Sequence, residues 1–195
     1  MINKTLAILA GGKSSRMNYN NKALLSYKEK TFIEHIIEAG KEYNEIIIVA
    51  NNNELYKDFN VKVVGDIYIG NGPLSGIHAA MKYSKNDYIL CVACDMPLIS
   101  KELLDFLGNS KEDYEVLVPM FNERMQPLAA VYSKEIIEKV EDALINKEYR
   151  LQNFIRSLDY KLVYKLGNRE FKNEEFFNIN TPEEFKKLEE YKCIL

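Results

Sequence analysis

The sequence predicts an α/β fold: three layers, with a predominantly parallel central sheet and a β-hairpin inserted in the second half. Two observations carry this. Over the first hundred residues, short apolar runs ending in Gly, Asn or Asp alternate four times with amphipathic stretches, the pattern of parallel strands joined by crossover helices. Beyond that point two strand-like runs, Glu115 to Phe121 and Pro127 to Tyr132, are separated only by Asn122, Glu123, Arg124 and Met125, a hairpin spacing. Open sheets of this kind take their ligands at the carboxyl ends of the strands, so function is expected there.

Each element has a local reason. Leu6, Ala7, Ile8 and Leu9 form an apolar run too short for a typical helix, and it stops at Gly11 and Gly12, which reads as a buried strand entering a tight loop. Ala23 to Tyr27 is a short extended piece turned by Lys28, Glu29 and Lys30. Thr31 and Glu34 have the spacing of a capping box ahead of Phe32, Ile33, Ile36 and Ile37, an amphipathic helix ending near Gly40. Glu45 to Ala50 is the second strand and Val61 to Val64 the third. Asn71 to Gly76 then leads into a helix through Ile77, Ala80 and Met81. Tyr88 to Ala93 is the fourth strand, followed by Asp95, Met96 and Pro97 and by Ser100 as cap of a helix carrying Leu103, Leu104 and Leu107. Ser133 heads a helix with Ile136, Ile137, Val140, Ala143 and Leu144 on one face, and a second helix is expected around Leu151 to Ile155. Lys161 to Leu166 is the last strand. Thr181, Pro182 and Glu184 have the cap, first-turn and capping-box roles of a final helix through Phe185, Leu188 and Tyr191, whose lysines and glutamates describe a solvated face.

At 195 residues the chain has the length of one domain with a substantial interior, expected as 1–195. A net charge of −3 offers no polybasic footprint, so nucleic acid is not an expected partner. The longest aliphatic run, Ile46 to Ala50, is far too short to span a bilayer, and the first strand begins without the apolar stretch of an export signal, so no membrane and a cytoplasmic location are expected. Three cysteines without an export signal suggest free thiols. Cys91 and Cys94 are spaced as C-x-x-C but lie on a strand, where residues three apart face opposite ways, which argues against a shared metal or disulfide.

The glycine loop carries the most chemistry. Glycines let backbone N–H groups converge on an anion, and Lys13, Arg16 and Lys22 add three cations within a short span, a density suited to several phosphates. Gly11 and Gly12 by themselves fit better an ordinary strand-turn-helix corner with solvated basic residues. The loop has neither the G-K-[ST] ending of a Walker A sequence nor the spacing of a dinucleotide fingerprint.

Taken as a whole, L-A-G-G-x-S-x-R-M followed by Lys22 resembles the signature of molybdenum cofactor guanylyltransferases, a branch of the nucleotidyltransferases; glycine at position 11 leans toward the guanylyl branch. Gly72-Pro73-Leu74-Ser75-Gly76 is similar to that family's G-P-L-x-G, Asp95-Met96-Pro97 to its Asp-x-Pro, and Asn178-Ile179-Asn180-Thr181-Pro182 to its N-[IV]-N-T-P. Met125 to Ala129 is a weaker match on the acceptor side. The resemblance runs from Leu9 to Phe185. It implies a Rossmann-like nucleotidyltransferase domain with a nucleotide-binding half, about 1–100, and an acceptor-binding half, about 101–195. It further implies that Leu9, Ala10, Gly11, Gly12, Lys22, Asn51, Asp66 and Asp95 bind the nucleotide, that Asp95 also holds Mg²⁺, and that Asn178 and Asn180 bind the acceptor. The implied substrates are GTP and Mo-molybdopterin, with transient contact to molybdopterin-handling proteins or apo-molybdoenzymes.

Residue chemistry fits those roles without requiring them. A carboxylate at a strand end, Asp95, suits a cation that completes its shell with phosphates and water, but also a loop acid beside a helix. Lys22 would steady charge on the transferring phosphate, and Arg16 offers a planar fork to the outer phosphates. Asn51 and Asp66 are otherwise ordinary turn residues. His35 and His78 are expected in packing rather than catalysis. Asn18 and Asn21 depart from the family, which has glycine and an acid there; the loss at 21 removes a negative charge beside Lys22. Two alternatives remain: a cytidylyl- or sugar-nucleotidyltransferase, and a non-catalytic accessory handling GTP or pterin.

Overall fold

The structure, a computed structural model, describes residues 1–11 and 21–190, without the side chains of residues 189 and 190. In chain order the strands and helices are β1 (Ile2–Leu9), β2 (Ser26–Tyr27), β3 (Lys30–Thr31), α1 (Phe32–Ala39), β4 (Tyr43–Val49), β5 (Lys62–Val64), α2 (Pro73–Tyr83), β6 (Tyr88–Ala93), α3 (Lys101–Gly108), β7 (Val116–Phe121), β8 (Arg124–Met125), β9 (Ala129–Ser133), α4 (Ile137–Ile145), α5 (Leu151–Arg156), β10 (Tyr160–Val163), β11 (Lys165–Leu166), β12 (Arg169–Glu170) and α6 (Pro182–Glu190).

Strands from both halves of the chain share one sheet, ordered β10-β7-β9-β6-β1-β4-β5, with β8 paired to β7. The β5, β4, β1 and β6 strands run parallel, as the βα alternation requires. Side chains alternate across the sheet. In β1, Leu6 and Ile8 join the core under α1 and α3, while Ala7 joins the one under α2, α4 and α5. The three layers expected from the sequence are therefore present.

The expected hairpin is present, with β7 and β9 paired antiparallel. The chain turns at Asn122 and Glu123, whose φ values of 48° and 59° make the left-handed turn that two-residue hairpins favour. Arg124 and Met125 fold back on β7 as β8. The longer returning strand, β9, lies between β7 and β6 and is antiparallel to both. Its second strand lies inside the sheet, because Ala129 to Tyr132 is apolar at every position and is buried on both faces. The expected last strand is also split: β10 pairs in parallel with β7, while β11 and β12 form a separate small hairpin. A further hairpin, β2 and β3, turns at Lys28 and Glu29 with positive φ despite lacking glycine.

The caps are as expected. Thr31 and Glu34 make both bonds of a capping box, and Ser100 accepts from Leu103 N–H. Ser133 caps a single 3₁₀ turn, Lys134–Ile136, that runs into α4. One clamp was not anticipated. Glu175, 1 % exposed, accepts from Ser100 Oγ, from Arg169 Nη2 at 2.6 Å and from Lys172 N–H at 2.8 Å. It ties the segment leading to Asn178 onto the start of α3.

Candidate active site

The parallel register places Leu9 beside Val49 on one side and Ala93 on the other. Beyond the strand ends the backbones stay joined: Ala10 N–H donates to Val49 O at 2.9 Å and Cys94 N–H to Leu9 O at 3.1 Å. Gly11 and Asp95 therefore leave adjacent strands at the same edge of the sheet. Gly12 and Arg16, with Lys13 and Asn18, lie outside the described residues.

Asn51, Asp66, Gly11 and Gly76 gather on one side of this edge. Asn51 spends both ends of its amide on Asp66: Nδ2 donates to Oδ2 at 3.0 Å, and Oδ1 accepts from the Asp66 N–H at 2.8 Å. A Cβ on Gly11 would stand 3.6 Å from Asp66 Oδ2, and one on Gly76 would stand 3.3 Å from Leu9 Cδ2 and 3.9 Å from Asp66 Oδ1. The exit of β1, the acid after β5 and the first turns of α2 thus close on one another, and glycine at 76 permits the approach. Burial pushes the Asp66 carboxyl upward, with the Asn51 hydrogen bond opposing.

Lys22, Asp95 and Asn180 meet on the other side. Asn21 Oδ1 accepts from Ala23 N–H and so caps the 3₁₀ turn Lys22–Leu24, while its Nδ2 donates to Tyr56 Oη at 2.7 Å. That anchor fixes where Lys22 begins, a role its sequence did not suggest. Lys22 Nζ donates to Asn180 Oδ1 at 2.7 Å and lies 3.9 Å from Asp95 Oδ2. The backbone closes the triangle, since Ile179 N–H donates to Asp95 O at 2.9 Å. Glu184 then accepts from the N–H groups of Asn180 at 2.6 Å and Thr181 at 2.9 Å, so its capping box also shapes the turn that presents Asn180. Among the described residues Asn178 shares no partner with Asn180; its amide leans on Phe176 O at 3.5 Å.

Burial raises the Asp95 carboxyl, Lys22 opposes that shift, and Glu184 adds to it. Asp95 Oδ1 is buried and has no hydrogen-bond partner among the described residues. An orphaned carboxylate oxygen is costly unless something binds it, and it is the donor that a hard divalent cation takes. Among the described residues no three His, Cys, Asp or Glu side chains gather into a cage. The donor set accordingly fits a cation that draws its remaining ligands from phosphates and water. The weakly matched segment, Met125 to Ala129, also reaches this edge, where Leu128 O accepts from Ala93 N–H at 3.0 Å.

The cysteines and histidines have other surroundings than those of a thiolate or a catalytic base. Cys91 packs in the layer under α2 and Cys94 against the opposite one. Burial pushes both thiols up, that of Cys94 to about 12, so neither is an available thiolate at neutral pH. His35 Nε2 pairs with Tyr27 O at 2.7 Å and His78 Nε2 with Glu141 Oε1 at 2.8 Å.

Comparison with known proteins adds an independent line. A family model described as "MobA-like NTP transferase domain" matches residues 6–162. A protein of Clostridium perfringens (strain 13 / Type A) called "Probable molybdenum cofactor guanylyltransferase" is 53% identical over 194 residues, covering 96% of this chain and 97% of its own. One of the same description from Carboxydothermus hydrogenoformans is 38% identical over 191 residues, covering 96% of each. Among solved structures, molybdopterin-guanine dinucleotide biosynthesis protein A from Archaeoglobus fulgidus superimposes with a TM-score of 0.82 at 25% identity, covering 98% of this chain and 100% of that one.

Proposed function

The chain belongs to the MobA-like NTP transferase family, and from that premise we propose how it works: as a molybdenum cofactor guanylyltransferase that moves GMP from GTP to the phosphate of Mo-molybdopterin. An acceptor phosphate oxygen bonds to the α-phosphorus of GTP as the bond to the β-phosphate oxygen breaks, giving molybdopterin guanine dinucleotide and pyrophosphate. The relatives' guanylyltransferase names stand against the cytidylyl- or sugar-nucleotide alternative, and membership of a transferase family stands against a non-catalytic accessory.

The observation that carries the mechanism is the position of Lys22, between Asp95 and Asn180 at the carboxyl edge and 17% exposed at its side chain. In a site shielded from water, an ammonium aimed at the transferring phosphate is worth more than it would be in solvent. The acceptor phosphate is already ionised, so no general base is needed. Leu9, Ala10, Gly11, Asn51 and Asp66 hold the nucleotide in this reading, with Gly12 and Arg16 supplying backbone and guanidinium donors to its phosphates. Asp95 holds the divalent cation, Mg²⁺ in our reading, which when bound neutralises phosphate charge. Asn178 and Asn180 face the acceptor.

We read residues of about 1–100 as the nucleotide half and about 101–195 as the acceptor half of one domain. The second half supplies Asn180 to the nucleotide edge. Release of the product to molybdopterin-handling proteins or apo-molybdoenzymes follows the same reading.

The test is pyrophosphate release from GTP, Mg²⁺ and Mo-molybdopterin. Wild-type chain is expected to turn over, and Lys22→Ala to lose roughly 10²- to 10³-fold in rate with its fold intact. A loss below about threefold would remove Lys22 from the mechanism.

A further inference from the structure

We infer that Asn180 is a positioning residue for Lys22, so that a segment matched to acceptor binding also sets the nucleotide site. The inference rests on the reading of Lys22 as the phosphate-directed cation.

The chemistry of the contact fixes its direction. Lys22 Nζ has only hydrogens to offer, so the Asn180 atom 2.7 Å away must be the carbonyl oxygen. The amide NH₂ is left to point elsewhere, which is the donor an anionic acceptor would need. An ammonium has three N–H donors. Among the described residues Asn180 takes one, and Asp95 at 3.9 Å attracts the charge from beyond hydrogen-bonding range, which leaves donors for phosphate.

Without Asn180, a flexible four-carbon stem would swing among rotamers and have to be ordered at each nucleotide encounter. Asn180 in turn is held from three directions that do not involve substrate: Ile179 N–H on Asp95 O, and Glu184 on the N–H groups of Asn180 and Thr181. The turn and Asp95 are thus tied together by a backbone hydrogen bond. A residue meant only for the acceptor would not need its carbonyl committed to a lysine on the far side of the sequence.

The experiment is calorimetric GTP·Mg²⁺ binding with no acceptor present, on wild type, Asn180→Leu, Asn180→Asp, Lys22→Ala and the double variant Lys22→Ala/Asn180→Leu, with thermal melts alongside. Asn180→Leu is expected to weaken GTP binding about tenfold, in line with loss of one hydrogen bond to a charged group. Asn180→Asp keeps an oxygen for Lys22 but adds a negative charge where the triphosphate is read to bind, so it is expected to bind GTP no more tightly than Asn180→Leu. In the Lys22→Ala background the leucine substitution is expected to cost nothing further. If Asn180→Leu melts as an unfolded chain, the Asn180→Ser variant, too short to reach Nζ, takes its place. GTP affinity unchanged by loss of the Asn180 oxygen, or equal losses with and without Lys22, would overturn the inference while leaving guanylyl transfer standing. A wild-type chain that binds no GTP·Mg²⁺ would overturn both.

Discussion

At the scale of single residues, the site shows which side chains sequence can and cannot reveal. Asp95 and Lys22 stand out in the sequence only through the family motifs around them, and the structure brings the two within 3.9 Å of each other. Asn21 and Glu184 do not stand out: a loop amide and a helix-capping acid have local explanations, and only three-dimensional contact shows Asn21 reaching Tyr56 and Glu184 shaping the turn at Asn180. Glu175 was hidden for the same reason, lying among other glutamates of a late loop. Burial raises its carboxyl, but Arg169, the Lys172 N–H and Ser100 together outweigh burial and leave it below the usual value. A carboxyl whose folded pKa is depressed contributes stability above its unfolded pKa, about 4.3, and loses it as pH falls through the lower folded value. Glu175→Gln is therefore expected to lower stability by about 1–3 kcal/mol at pH 7. The gap between variant and wild type should shrink below about pH 4, as read from urea melts at both pH values. A gap that grows on acidification would show the clamp to be uncharged in the native state.

At the scale of elements, caps and strand ends were readable because they are local, whereas neighbour relations in the sheet were not. The short connection after β7 correctly signalled a hairpin, yet no local feature says that β9 slots against β6. The end of α3 illustrates a constraint of the same kind. A Cβ at Gly108 would come within 2.6 Å of Tyr43 Oη and 2.8 Å of Ile2 Cγ2, so the helix closes on β1 and β4 with no space for a methyl group. Tyr43 cannot easily yield, since its hydroxyl donates to Leu104 O at 2.6 Å. Helix propensity favours alanine over glycine by up to about 1 kcal/mol, but overpacking a filled core costs about 1–3 kcal/mol. Gly108→Ala is accordingly expected to lower the melting temperature and to leave GTP affinity unchanged. A higher melting temperature would mean that the helix end shifts freely.

At the scale of the whole molecule, the parallel half of the sheet and its carboxyl-edge site followed from the order of elements alone, because βα alternation leaves few topologies. Function and stability meet at this edge. Asp95 carries a buried oxygen with no partner among the described residues and a carboxyl raised by burial, a shift that Lys22 opposes. Asp95→Asn is expected to melt no lower than wild type in the absence of ligand. Saturating GTP and Mg²⁺, at about a hundred times the dissociation constant, should add about 2.7 kcal/mol to wild type, a rise of roughly 5–10 °C. The variant should show little of that rise. An equal rise in differential scanning fluorimetry would take Asp95 out of the cation site.

The antiparallel strand at the centre also bears on how the chain is made. Until residues 129–133 emerge from the ribosome, β6 is the open border of a partial sheet, and its sequence from Ile89 to Ala93 is wholly apolar. At ordinary elongation rates that border stays uncovered for roughly 2–7 s. An uncovered apolar border invites pairing with another nascent chain, and β9 ends that exposure before residues 179–184, which bring Asn180 to Lys22, have been made.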